Sequence, residues 1–277
     1  MANNLLKGKK GIIFGALDEN SIAWKVAERA HEEGAEFVLS NARVALRKKE
    51  IYKLADKTNS QVIAADITEI SELEDLFSES MEILGGKIDF VLHSVGMSPN
   101  VRKSVPYHEL NYDYLDKTLD VSAISLHKVL AVAQKLDALS EWGSVVTLSY
   151  IAAQRTFSSY SDMAHAKAIL ESIVRQFGYH FGVEKKVRIN SVSQSPTQTT
   201  AGSGVSGFNA FYNYADDMSP LGNATSDSCA DVVISLFSDY TKMITMQNIF
   251  NDGGFSSMGI SNKLIDKFID CSCIDDE

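Results

Sequence analysis

From residue 11 onward the chain alternates short apolar or β-branched runs with longer stretches whose apolar residues recur at helical spacing. Repeated βα units of this kind specify a parallel sheet with helices on both faces. Strands are expected at residues 11–14, 36–40, 61–65, 88–93, 144–149, 187–193 and 247–251, each bounded by Gly, Asp, Asn or Ser. Helices are expected at 21–33, 44–57, 70–84, 112–139, 161–181 and 227–238, the first of them stopped by Gly34. No repeat, low-complexity linker or charge block interrupts the pattern. With 277 residues, 45% of them hydrophobic, the chain can bury a full core. The expectation is therefore one doubly wound, Rossmann-type α/β domain over residues 1–270 with a polar tail at 271–277. One stretch departs from the alternation. Residues 195–221 are rich in Gly, Ser, Thr and Asn with scattered aromatics, and an irregular segment of that length in a compact domain is more often functional than idle. It reads as a substrate-binding lid.

Charge narrows the partners. The 26 Lys and Arg against 36 Asp and Glu leave a net charge of -10, which disfavours nucleic acid and anionic membrane surfaces. The first ten residues lack the apolar core of a signal peptide, and no apolar run has the length of a membrane span, so a cytoplasmic location is expected. Cys229, Cys271 and Cys273 are too few, and too far from any histidine, for a metal site; free thiols are the plain reading. Asn223-Ala224-Thr225 is a chance match to a glycosylation acceptor.

The first expected strand runs into Gly15-Ala16-Leu17-Asp18-Glu19-Asn20-Ser21-Ile22-Ala23, where a dinucleotide fold places its phosphate-binding turn at a helix N-terminus. Only Gly15 of the usual glycine triplet is present, so the turn alone is equally compatible with an ordinary strand-to-helix connection. Ser21 strengthens the binding reading, because its hydroxyl and the unbonded N–H groups of the helix start suit a pyrophosphate. After the second strand, Asn41-Ala42-Arg43 occupies the place where such folds read the adenosine ribose. No acidic residue stands there to repel a 2'-phosphate, and Arg43 is either a partner for that phosphate or a solvated charge. Ser94 to Pro99 closes the fourth strand at its C-terminal end with small residues that let a ligand approach the backbone.

Tyr160 and Lys167 lie seven residues apart on an expected helix, so they share one face with roughly 10 Å of rise between them. A phenol can donate to a developing oxyanion, and a nearby ammonium supports the charge and orients a ribose. Short-chain dehydrogenases that interconvert alcohols and ketones place the lysine four residues after the tyrosine, but position 164 here is alanine. The longer Tyr-x6-Lys spacing, with a first tyrosine at Tyr150, resembles the enoyl-acyl-carrier-protein reductases, a divergent branch of that group; so does Gly15-x5-Ser21-Ile22-Ala23. The resemblance covers nearly the whole chain and ends with Asn251-Asp252-Gly253-Gly254-Phe255.

What the resemblance implies is specific. Tyr160 would donate to the thioester oxygen of a trans-2-enoyl substrate, Lys167 would hold the cofactor ribose, and Tyr150 and Ser98 would border the acyl chain. Gly15, Ser21, Ile22 and Ala42 would contact the phosphates and adenosine, Asp66 and Ile67 the adenine, and Val95 the nicotinamide ribose. Thr197, Gln198, Thr199, Thr200 and Ala201 would cover the carboxamide, while Gly202, Gly204 and Gly207 let the lid move and Phe208, Phe211, Tyr212 and Met218 line the pocket. Asp66 has a rival reading as a helix cap. The implied cofactor is NADH, with NADPH left open; the implied partner is acyl carrier protein, and the implied assembly a homotetramer. Relatives often carry basic residues after the lid to receive the carrier, whereas Ser206, Asn209 and Ala210 are uncharged; Lys185, Lys186 and Arg188 are an alternative basic cluster. The competing functions are a carbonyl or alcohol oxidoreductase and a nicotinamide sensor without turnover.

Overall fold

A computed structural model describes residues 3–200, 202 and 207–272. Its seven strands are β1 (Lys10–Phe14), β2 (Glu36–Asn41), β3 (Gln61–Ala64), β4 (Ile88–His93), β5 (Leu139–Ser149), β6 (Arg188–Gln194) and β7 (Asn248–Asn251). They form one parallel sheet in the order β3-β2-β1-β4-β5-β6-β7. The order reverses between β1 and β4, and the crevice at the C-terminal ends of those two strands is where open α/β sheets bind ligands.

The helices are α1 (Ile22–Glu32), α2 (Arg43–Leu46), α3 (Glu50–Thr58), α4 (Ile70–Leu84), α5 (Pro99–Arg102), α6 (Tyr112–Leu119), α7 (Ser125–Lys135), α8 (Ser161–Lys185), α9 (Phe208–Met218), α10 (Ser226–Phe237) and α11 (Asn262–Ser272). Alternation along β1 shows why both faces are covered. Ile12 and Phe14 pack with Leu76 and Phe77 of α4, Leu130 of α7 and Leu170 of α8. Ile13 points the other way, into Trp24 and Val26 of α1, Leu54 of α3 and Phe237 of α10. Each such side chain contributes roughly 1.5–3 kcal/mol on burial, so a slip of one residue would exchange the two cores and is strongly disfavoured.

Three expected elements are revised. The helix at 44–57 is broken into α2 and α3, because Lys49 adopts a left-handed conformation (φ 61°) that a continuous helix cannot hold. The helix at 112–139 is interrupted by a π-helical turn at Asp120–Ile124 and ends at Lys135, after which left-handed Asp137 (φ 50°) leads into an early start of β5 at Leu139. The segment 195–221 is not irregular throughout: Phe208, Phe211, Tyr212 and Ala215 recur at helical spacing inside it and form one face of α9. Its Gly- and Ser-rich composition hid that period.

Among the described residues, no helix is long and apolar enough to cross a membrane. No group of three or more His, Cys, Asp or Glu among them is placed to hold a metal ion. Cys229 is buried in α10, Cys271 lies in the last turn of α11, and Cys273 lies outside the described residues.

Candidate active site

A cavity of about 830 Å3 opens at the C-terminal edge of the sheet and is lined by residues from five strand ends, among them Gly15, Asn41, Val95, Tyr150 and Thr197. Its floor begins where β1 turns into α1. Gly15 has φ +94°, and a Cβ there would lie 2.0 Å from the carbonyl oxygen of Ser94, so only glycine lets β1 and the β4 exit approach each other. Ser21 caps α1 without a side-chain bond to its N–H groups. Its hydroxyl instead donates to the Asp18 carbonyl (2.7 Å) and accepts from the Leu17 N–H (3.2 Å). Ser21 thus shapes the turn while lining the cavity, and the N–H groups at the start of α1 are left for an anion.

On the opposite wall, Tyr150, Tyr160 and Lys167 line the same cavity. Tyr150 follows β5, Tyr160 caps α8, and Lys167 lies two turns along that helix. The rings of Tyr150 and Tyr160 pack with centroids 5.0 Å apart, and Phe157 and Phe211 close the cluster on its apolar side. The Tyr150 hydroxyl is buried without a hydrogen-bond partner in the protein. Burial holds both phenols well above their ordinary range, so each remains a proton-bearing donor at neutral pH. Lys167 is buried and donates to the Leu148 carbonyl at 2.8 Å. Burial pushes its ammonium down to about 8, with Glu171 pulling in the opposite direction.

Two buried carboxylates that sequence reasoning missed hold this wall in place. Asp162, fully buried on α8, accepts from Ser98 Oγ (2.6 Å), Asn100 Nδ2 (2.8 Å) and Thr118 Oγ1 (2.9 Å). Glu171, one turn beyond Lys167, accepts from Ser149 Oγ (2.7 Å), Gln154 Nε2 (3.0 Å) and Asn248 Nδ2 (3.0 Å). Three donors apiece satisfy the buried carboxyl oxygens and tie α8 to the exits of β4 and β5 and to the start of β7. Ser98 is thus anchored through its hydroxyl, although it lines the cavity. The widened turn before α7 supplies Ser122, whose hydroxyl accepts from Met97 N–H (2.9 Å) and donates to Met97 O (3.0 Å), fixing the loop beside Gly96.

His93, at the end of β4, is buried between Ser125 Oγ (2.9 Å) and Thr147 Oγ1 (3.0 Å). Both hydroxyls also bond a backbone carbonyl, Ser125 donating to Val121 O and Thr147 to His93 O, so the neutral ring is held in a fully polar-lined slot at the end of β4. Burial lowers its pKa to about 3. The unfolded chain therefore takes up a proton from pH 6.5 downward that the folded chain refuses, and stability falls as pH drops toward 3. Acid-unfolding curves of His93→Gln are expected to show a shallower loss between pH 6 and 4 than the natural protein, by circular dichroism; identical slopes would contradict this.

At the end of β2, Asn41 Nδ2 donates to the Ala16 carbonyl (3.1 Å), and Ala42 caps α2. Arg43 does not stand free: Nη1 meets both carboxylate oxygens of Glu72 at 2.6 Å. Glu72 also accepts from the Asp66 N–H at 2.8 Å. Asp66 does not cap α4, whose N-cap is Glu69; its carboxylate takes the hydroxyl (2.7 Å) and N–H (3.0 Å) of Thr68, which hold it below the usual range. Ile67 is buried in the core. Ala42, Asp66 and Ile67 flank the cavity without lining it.

The segment after β6 is brought over the cavity at Thr197, Thr199, Thr200 and Gly202. Thr200 Oγ1 donates to Asp18 Oδ2 at 2.6 Å, joining this segment to the turn after β1. Gln198 is exposed and outside the lining, and Ala201, Gly204 and Ser206 lie outside the described residues. Phe208 and Phe211 line the cavity, whereas Tyr212 and Met218 do not. The basic cluster at 185–188 is overturned: Arg188 is 2% exposed, donating to Leu236 O (2.7 Å) and Thr241 Oγ1 (2.9 Å), and Lys185 pairs with Asp137.

These residues fit a dinucleotide: a glycine turn, a helix N-terminus, a lysine and an unpartnered buried phenol line one cavity. The model of the family described as Enoyl-(Acyl carrier protein) reductase matches residues 15–256. The NADH-dependent enoyl-[acyl-carrier-protein] reductase 1 of Rhizobium meliloti (strain 1021) is 31% identical over 94% of this chain and 94% of its own. Among solved structures, the FabI–NADH complex from Alistipes finegoldii is 63% identical, with a TM-score of 0.93 over 94% of this chain and 92% of that one. The Bacillus cereus enoyl-acyl carrier protein reductase, solved with NADP+ and an indole naphthyridinone, is 29% identical, with a TM-score of 0.85 over 94% of this chain and 100% of that one. With the glycine turn, the Tyr-x6-Lys wall and a family match running through nearly all of its sheet, the chain belongs to the enoyl-(acyl carrier protein) reductases.

Proposed function

We propose that this chain reduces the double bond of trans-2-enoyl thioesters on acyl carrier protein, with NADH as reductant. The observation that carries the reading is that Tyr160 and Lys167, at enoyl-reductase spacing, line one cavity with the glycine turn of β1. When bound, NADH supplies the hydride that adds to the β carbon of the conjugated thioester. Charge then develops on the thioester oxygen, and the Tyr160 hydroxyl donates to it. Lys167 steadies that charge and holds the ribose; Gly15, Ile22 and Val95 border the cofactor, and the N–H groups at the start of α1 receive its phosphates. Thr197, Thr199 and Thr200 lie over the carboxamide, and the stretch from about 195 to 221 acts as a lid. Tyr150, Phe157 and Phe211 form the apolar side against which the acyl chain lies. The same reading makes the protein a single-domain, cytoplasmic homotetramer. Solved relatives hold NADH in one case and NADP+ in another, so the choice between the two rests on this chain's own residues.

The test is direct. Purified protein with NADH is expected to consume the cofactor with a trans-2-enoyl thioester and not with a 3-ketoacyl thioester. Consumption only with the ketone would make it a carbonyl reductase, and binding without turnover with either would make it a sensor. A pH profile checks Lys167. Because burial depresses its pKa to about 8, the ammonium is present below that value and lost as pH rises through it. Turnover at saturating NADH is expected to decline above pH 8, and Lys167→Arg, which stays charged, to flatten that limb at a lower rate. An unchanged rate up to pH 9.5 in the natural protein would remove Lys167 from the charged role.

A further inference from the structure

Dinucleotide folds that select NADH over NADPH commonly carry an acidic residue after the second strand, where it accepts from the ribose hydroxyls and repels a 2'-phosphate. Here that place is Asn41-Ala42-Arg43, with a cation instead. Cations dominate the neighbourhood: Arg47, Lys48 and Lys49 are exposed just beyond, and Lys48 lines the cavity. By charge alone this end of the site would welcome a phosphate.

Glu72 offsets that charge at Arg43. It projects from the first turn of α4, and β3, which precedes α4, pairs with β2 so that Asn41 lies beside Ala64. Its carboxylate is fixed from two sides, by the Asp66 N–H at 2.8 Å and by Arg43 Nη1 at 2.6 Å. The Asp66 N–H and the Arg43 guanidinium both hold its carboxyl below the usual range. Arg43 is 66% exposed, so the pair adds little to stability. Its consequence is where it puts charge.

We infer that Glu72 is the cofactor-specificity residue of this chain: a carboxylate supplied from α4 stands in for the one β2 lacks, occupies Arg43 and opposes a 2'-phosphate. The inference rests on the nicotinamide-dependent reading above, but it concerns binding alone and is tested by binding.

Dissociation constants for NADH and NADPH are measured by fluorescence titration on the natural protein, Glu72→Gln, Arg43→Gln and the double variant. The natural protein is expected to hold NADH at least about tenfold more tightly than NADPH, the discrimination worth one charge-assisted hydrogen bond. Glu72→Gln keeps an acceptor for the Asp66 N–H while releasing Arg43, and is expected to cut that preference about tenfold. Arg43→Gln in that background is expected to restore it in part, since the released guanidinium is gone but so is the opposing carboxylate. Arg43→Gln alone leaves the carboxylate uncompensated and is expected to weaken NADPH further. No preference in the natural protein, an unchanged ratio in a Glu72→Gln protein with a normal melting curve, or tighter NADPH binding by Arg43→Gln would each overturn the inference. Should Glu72→Gln not fold, Glu72→Ala is titrated in its place, and an unchanged NADH-to-NADPH ratio in it would overturn the inference. A ratio that shifts as expected in a protein with no enoyl turnover would instead refute the catalytic reading and leave this one standing.

Discussion

Replacing Tyr160 by phenylalanine is expected to lower turnover of a trans-2-enoyl thioester about 100- to 1,000-fold, the usual cost of losing one donor to a developing oxyanion. Affinity for NADH is expected to stay within about twofold, because the change removes only the hydroxyl. The ring keeps its packing against Tyr150, whose centroid is 5.0 Å away. Burial keeps the phenol protonated at neutral pH, so what is lost is a donor and not a base. The measurement is steady-state kcat at saturating NADH beside a titration of the cofactor. Tyr150→Phe is the comparison. Tyr150 also presents a buried hydroxyl with no partner in the protein, yet as a wall of the acyl pocket it is expected to cost less than about tenfold. A larger loss at Tyr150 than at Tyr160 would exchange the two assignments.

The parts of the molecule legible in the sequence are those set by local periodicity. β4 occupies the expected residues 88–93 and α4 the expected 70–84, because unbroken apolar and amphipathic periods leave no competing structure. Tyr160 and Lys167 were readable for the same reason, since both lie on one helix and their spacing alone puts them on one face. What was not readable is what arrives from across the sheet. Asp162 meets Asn100 and Thr118, 62 and 44 residues away, and Glu171 meets Asn248 77 residues on. On a helix facing solvent either would be an ordinary surface charge. Arg43 posed the same difficulty: whether it is free for a phosphate depends on Glu72, 29 residues later, which no reading of 41–43 contains. Arg188 looked like a surface cation because Lys185 and Lys186 precede it, yet the chain enters β6 at that residue and the guanidinium turns inward. α9 has a local signal in its helical period, which the Gly- and Ser-rich composition around it masks.

The other large effect lies at Gly15, and it separates two penalties that glycine substitutions usually confound. A left-handed backbone costs an ordinary residue of order 1 kcal/mol; a steric collision with backbone costs more, since neither partner can rotate away. Gly8 has only the first problem: φ is +76° and nothing lies within 4 Å of a Cβ placed there. Gly15 has both, with φ +94° and the Ser94 carbonyl oxygen 2.0 Å from that Cβ. Relief requires β1 and β4 to separate at their C-terminal ends, where Ile13 and Phe14 pair with Leu92 and His93, and there the switch-point crevice lies. Gly8→Ala is therefore expected to lower the melting temperature by about 2–4 °C with NADH binding intact, and Gly15→Ala by about 10 °C with binding lost. Thermal melts with and without NADH measure both terms, because only a protein that still binds is stabilised by added ligand. If Gly15→Ala melts like Gly8→Ala and still gains stability from NADH, the close approach of β1 to the β4 exit is not what shapes the cofactor site.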